Sequence, residues 1–292
     1  MNIYLVDAFA SKPFTGNPAA VLILDSEPTD TNWMRSVAAD MNQSETCFVW
    51  PLTDNDKAEW GLRWFTPITE IELCGHATLA SAHVLWSTGL VDEDKEVRFF
   101  TPYAKHYLQC ALDKDNSADS SAIRMSFPAR STEPAKIPDG LVGALGTSPT
   151  DCGRCDNGSL LLQFSTAEEI RSMRPDFRKL QKCTEDVVIV TALSDQVGMD
   201  VISRFFAPGK GLDEDPVTGS AHCIIGPWWS KPLKQQKMVC YQASKRGGVL
   251  NLELRDDRVY IFGKAVTVLQ GCLLYTSPSP RDQRGSRMPS SA

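Results

Sequence analysis

The stretch RWFTP at residues 63–67 returns as RFFAP at 204–208, an offset of 141 residues. The turn that follows returns as well: Gly75-His76-Ala77 comes back as Gly219-Ser220-Ala221, an offset of 144. A chain that repeats itself at this spacing must build one supersecondary unit twice, and the halves then face each other or pack in line.

Within each half, an apolar, β-branched segment precedes the repeat, ETCFVW at 45–50 and DVVIVTAL at 186–193, and both have strand character. After each turn the period lengthens. ATLASAHVLW at 77–86 puts Leu79, Ala82, His83 and Trp86 on one helical face, whereas SAHCIIGPWW is expected to break at Gly226-Pro227. Other segments, among them NIYLVDAF, AAVLIL, EVRFF, YLQCAL, AIRMSF, SLLLQF, MVCYQAS, VLNLELR and RVYIFGKAVTV, are short, strand-like and separated by turn residues. Many short strands with few helices imply an α+β fold rather than a doubly wound sheet. The polar DKDNSADSS (113–121) and Pro-rich STEPAKIPDG (131–140) are the linker-like stretches, so the halves divide as 1–130 and 131–271.

The net charge of −6, from 30 basic and 36 acidic residues, is spread without a basic block, which argues against nucleic acid or an anionic membrane as partner. No run of 18 apolar residues is present, and the N-terminus, with Asp7 and no basic region, has the character of a first strand. Nine cysteines, mostly isolated in apolar stretches, suit buried thiols in a reducing, cytoplasmic setting. From Cys272 to Ala292 the composition turns to Ser, Pro and Arg, the mark of a disordered, non-native tail.

Two helix starts facing one cleft would present unpaired N–H groups and partial positive charge, a site for a carboxylate. In GLDEDPVTGSAH (211–222), however, three acids stand beside one of these starts, so one of them must be protonated, shared or turned away. Glu45 opens a strand between Ser44 and Thr46, where a core strand rarely carries a carboxylate. His76, at the first helix start, is expected to be neutral because the helix dipole disfavours its cation. Cys74 is a candidate for a thiol activated by the same helix end, or for inert packing. His83 and His222 are assigned core or surface roles. Cys152-Gly-Arg-Cys155 lacks the further ligands of a zinc site, and no phosphate-loop, dinucleotide or zinc-protease motif occurs.

AFASKPFTGNPAAVLIL (8–24), NQSETCFVWP (42–51), LRWFTPITEIELCGHATLASAHVLW (62–86) and SRFFAPGKGLDEDPVTGSAH (203–222) together resemble the PhzF, phenazine biosynthesis-like, isomerase family over residues 1 to about 271. The resemblance implies a diaminopimelate epimerase-like fold: two pseudo-symmetric domains, each a curved sheet around a central helix, with the site between them. It implies Glu45 as general acid/base with His76 and Asp215 as partners. Gly75, Gly219, Ser220 and Ser44 would be substrate contacts. The reaction implied is proton transfer between carbons of a small cyclic or unsaturated carboxylic acid, with no cofactor and no metal, by a homodimeric protein. In such chemistry Glu45 is expected to be brought toward neutrality by burial and a neighbouring acid. Two other readings stand beside this one: a Cys74-dependent amino-acid epimerase or racemase, and a partner-binding protein with a vestigial site.

Overall fold

The computed structural model describes residues 1–52, 59–114 and 121–274. The first half contributes β1 (Asn2–Ala8), β2 (Asn17–Ile23), α1 (Thr31–Met41), β3 (Glu45–Pro51), β4 (Glu59–Phe65), β5 (Glu70–Ile71), α2 (Gly75–Ser87), β6 (Val97–Thr101), β7 (His106–Leu112) and β8 (Ile123–Pro128). The second contributes β9 (Thr132–Pro134), α3 (Leu141–Leu145), β10 (Asp151–Cys155), β11 (Leu160–Gln163), α4 (Ala167–Ser172), α5 (Phe177–Cys183), β12 (Val188–Leu193), β13 (Val201–Ala207), β14 (Leu212–Glu214), α6 (Gly219–Leu233), β15 (Lys237–Gln242), β16 (Gly248–Arg255), β17 (Arg258–Gly263) and β18 (Ala265–Cys272).

The repeat seen in sequence extends to the strand pairing. β2 runs parallel to β3, β3 antiparallel to β4, β4 parallel to β6 and β6 antiparallel to β7. In the same order, β11 is parallel to β12, β12 antiparallel to β13, β13 parallel to β15 and β15 antiparallel to β16. The halves meet where β8 pairs antiparallel with β17, and the last strand β18 returns to pair with the first, Asn2 opposite Cys272. This is the diaminopimelate epimerase-like α+β fold expected from the sequence. RVYIFGKAVTV, which has the pattern of one strand, is two, β17 and β18. Most of DKDNSADSS, and the Ser/Pro/Arg tail beyond Leu274, lie outside the described residues.

Small side chains let α2 sink among the strands: ten of its residues from His76 to Trp86 are buried, and the helix is apolar on nearly every side. Its burial of Leu79 and Leu85 contributes roughly 1.5–3 kcal/mol each. α6 is the counterpart, packed on β16 and β17. It does not stop at Gly226-Pro227 as expected but continues to Leu233 with Pro227 inside. A proline there frees the carbonyl four residues earlier. The N–H of Arg130 takes that carbonyl, of Cys223, at 2.9 Å, so a long-range contact supplies what the local pattern lacks.

Candidate active site

The two central helices meet at their N-terminal ends. A Cβ built on Gly75 would lie 3.8 Å from the Cα of Gly219, and one built on Gly219 would lie 3.8 Å from the Cα of Gly75. Beside this junction opens a cleft of about 770 Å³ whose walls include Ser44, Glu45, Cys74, Gly75 and His76 from the first half. Asp215, Thr218, Gly219 and Ser220 line it from the second. All eight candidate residues of the sequence reading are thus brought together. First-turn N–H groups have no carbonyl partner within their own helix, so both helix ends offer donors to the cleft.

Glu45 is held by the first residue of β3, its side chain 15% exposed. Its Oε2 lies 3.1 Å from Nε2 of His76 in ion-pair contact, and is a buried oxygen without an aligned donor. Burial raises the Glu45 pKa, yet the charge and contact of His76, with help from Ser44 and Cys74, outweigh it and leave the carboxyl below its ordinary value. The expectation of a Glu45 near neutrality is therefore corrected: the neighbour that matters is a potential cation, not an acid. His76 is the reverse case. Burial lowers its pKa, but the carboxylates of Glu45 and Asp215 outweigh burial and raise it, against the neutral-imidazole expectation from the helix dipole.

Asp215 stands just beyond β14 and is 7% exposed. Burial and the Glu45 charge, opposed by His76, Thr218 and Asn17, push its pKa up to about 6, so it carries a proton well above the usual aspartate range. It accepts from Thr218 Oγ1 and, at 2.9 Å, from Asn17 Nδ2. Gln242, fully buried on β15, braces the same corner: it accepts from the Thr218 N–H at 2.8 Å and donates to the Asp215 carbonyl at 2.8 Å. Among the acids of GLDEDP, Glu214 is tied to Arg204 at 2.7 Å. Asp215 is the one that reaches the cleft.

Cys74 is not an activated thiol. Burial, and the nearby Glu45, Cys47 and Asp215, hold its pKa well above the ordinary thiol value despite its place at a helix start. His222 is a core residue: it is fully buried, donates from Nδ1 to the Thr218 carbonyl at 2.8 Å, and burial brings its pKa down to about 4. Glu45, Cys74 and His76 each place one ligand atom within 4.8 Å of the others. Cys74 Sγ, however, approaches Nδ1 at 3.4 Å while Glu45 approaches Nε2, an arrangement better suited to sharing protons on two sides of a ring than to chelation.

The halves are not equivalent in chemistry. Thr46 pairs with Phe65 and Val188 pairs with Phe206, the matching phenylalanines of the repeat, so Val187 occupies the place that Glu45 has in the first half. By the offset of 144 that relates the two turns, Thr218 stands where Cys74 does, and Ser220 where His76 does. Sequence reasoning missed Asn17, Val187 and Gln242, whose site partners lie far away along the chain.

The family profile described as phenazine biosynthesis-like protein matches residues 6–271. The chain belongs to this PhzC-PhzF family. An uncharacterised isomerase of Halalkalibacterium halodurans is 41% identical over 93% of this chain and 98% of its own. A crystal structure of a phenazine biosynthesis PhzC/PhzF protein from Clostridium difficile superposes with a TM-score of 0.83 at 36% identity, covering 94% of this chain and all of that one. A hydroxyproline epimerase from Agrobacterium vitis, 10% identical with a TM-score of 0.63 and coverage of 93% and 91%, shares the fold. Kinship of this extent makes the present PhzF-family chain an isomerase.

Proposed function

We propose that this isomerase moves a proton between carbons of a small cyclic or unsaturated carboxylic acid, with Glu45 as the single proton carrier. The observation that carries the reading is the asymmetry of the cleft: a carboxylate with an unaligned buried oxygen on one wall, and Val187 at the equivalent place on the other. Epimerisation by two bases needs an acid/base group on each face of the carbon, and the second-half places equivalent to Glu45, Cys74 and His76 hold Val187, Thr218 and Ser220. The thiol at Cys74, with a pKa raised by burial and neighbouring charge, is a poor nucleophile or base, which disfavours the cysteine-dependent alternative.

The substrate carboxylate would lie at the converging starts of α2 and α6, where N–H groups and the helix dipoles meet negative charge. Ile71, Phe205 and Leu212 give the cleft an apolar side for a carbon skeleton. Glu45 removes a proton from a carbon conjugated with that carboxylate. The electron pair spreads toward the carboxylate, whose charge the fixed donors stabilise, and the protonated Glu45 returns the proton to a second carbon. His76 steadies the Glu45 charge, and Asp215 lies beyond it as a second carboxyl acting on the same ring. The step needs no electron acceptor and no group beyond these side chains.

The test is solvent exchange. Incubation in D2O with a panel of cyclic and unsaturated carboxylic acids, followed by NMR, should show loss of C–H signal from one or more of them. Glu45→Gln should slow that exchange at least about 100-fold, the scale of general acid/base catalysis. Full activity in a folded Glu45→Gln protein would refute the assignment, and exchange that instead vanishes in Cys74→Ala would move the chemistry to the thiol.

A further inference from the structure

Asn17, the first residue of β2, has no exposed surface, yet its side chain makes four polar contacts with residues of both halves. Nδ2 donates to Asp215 Oδ1 and to the Val217 carbonyl, each at 2.9 Å, and lies 3.2 Å from Nδ1 of His76. Oδ1 accepts from Ser44 Oγ at 3.1 Å. The orientation of the amide is settled by chemistry. A flipped side chain would turn its oxygen onto a carboxylate and a carbonyl, both acceptors, so the NH₂ group must face them.

This orientation imposes an order on the imidazole. Nδ1 faces the NH₂ group of Asn17, which cannot accept, and the thiol of Cys74, a weak acceptor, so a proton on Nδ1 would have no good partner there. Nε2 lies 3.3 Å from Ser44 Oγ, which can accept from it while passing its own hydrogen to Asn17 Oδ1. The two hydrogens of Asn17 Nδ2 are shared among Asp215, Val217 and His76 Nδ1, and the path runs on from Nε2 to Ser44 and back to Asn17 Oδ1. The opposite tautomer would set an N–H against an NH₂ and leave Asn17 Oδ1 without its donor.

We propose that Asn17 is a positioning residue that, whenever the His76 ring carries a single proton, keeps that proton on Nε2, and that ties the ring, through the same amide, to Asp215. Resting on the isomerase reading, this explains how His76 keeps an N–H on the side of Glu45 throughout turnover. The groups facing the ring are the titratable Glu45, Cys74 and Asp215 and the neutral Ser44 and Asn17. None of the neutral groups can take a proton from Nδ1, and the carboxylate that could, Asp215, already accepts from the amide of Asn17 and the hydroxyl of Thr218.

The experiment is a multiple-bond ¹H–¹⁵N spectrum of the full chain labelled with ¹⁵N-histidine, titrated from pH about 6 to about 9 across the range where imidazole titrates. With four histidines in the chain, a His76→Gln sample assigns the ring. We expect the neutral form to show the Nε2–H pattern. In Asn17→Asp, which puts an acceptor beside Nδ1, the proton should move to Nδ1 or the ring should stay doubly protonated to higher pH. The variant should also lose roughly ten- to a hundredfold in exchange rate, with the pH profile displaced rather than KM raised. Should Asn17→Asp not fold, Ser44→Ala opens the circuit from the other side and should give a mixture of tautomers. A wild-type ring with its neutral proton on Nδ1, or one doubly protonated throughout, overturns the proposal. These spectra need no substrate, so a correct tautomer without any exchange would sink the reading of Glu45 as proton carrier and leave this one standing.

Discussion

Asp215 keeps a proton in a pH range where surface aspartates have lost theirs, and stability should register it. Its folded pKa of about 6 lies above the ordinary 3.8, so between these values the native protein binds the proton more tightly than the unfolded chain. Stability from this group is complete below pH about 4 and is lost as pH rises to about 6, by about 3 kcal/mol. Asp215→Asn should remove that slope and be the more stable protein at pH 7 in thermal scans across this window, although its catalysis suffers. An unchanged slope would mean that Asp215 titrates normally. Glu45, with its lowered pKa, works with the opposite sign, its contribution fading only as the medium becomes acid. At Cys74 the raised pKa predicts slow alkylation by iodoacetamide at neutral pH and retention of most exchange activity in Cys74→Ala. Glu45, His76 and Asp215 were legible as a set through motif resemblance, because short ordered motifs carry them. Their charge states were not: each depends on a neighbour about 30 to 170 residues distant, which no local rule reaches.

The secondary elements show where local rules suffice. Strand segments bounded by turn residues fold as their patterns require, since alternation is decided by the residues themselves. α6 is the exception, because Pro227 forbids a hydrogen bond that Arg130 then replaces from a segment almost a hundred residues earlier. Packing across strands sets a further limit that sequence does not advertise. Gly61 on β4 sits opposite Trp50 on β3, and a Cβ there would fall 2.0 Å from the indole. Trp50 is itself 2% exposed and enclosed with Phe48, Phe65 and Met34, so it has nowhere to turn. Gly61→Ala should therefore destabilise by roughly 1–3 kcal/mol, or more, despite being a minimal change in a strand interior. Chemical denaturation would check this, and a neutral result would show that the indole can rotate away.

Taken whole, the molecule is two copies of one plan whose differences carry the chemistry. The repeat at 63–67 and 204–208 made the duplication legible, but the return of β18 to β1 was not, since antiparallel neighbours 270 residues apart leave no mark on either segment. Truncation before Ala265 strips β1 of one of its two neighbours, leaving only β2, and should abolish cooperative unfolding in a thermal scan. That pairing also has a consequence in time. During synthesis β1 leaves the ribosome with one row of its backbone amides and carbonyls open, and β18, which covers them, is made only after β2 to β17. Until then the nascent chain carries an unfinished sheet edge, a template open to strands of other chains.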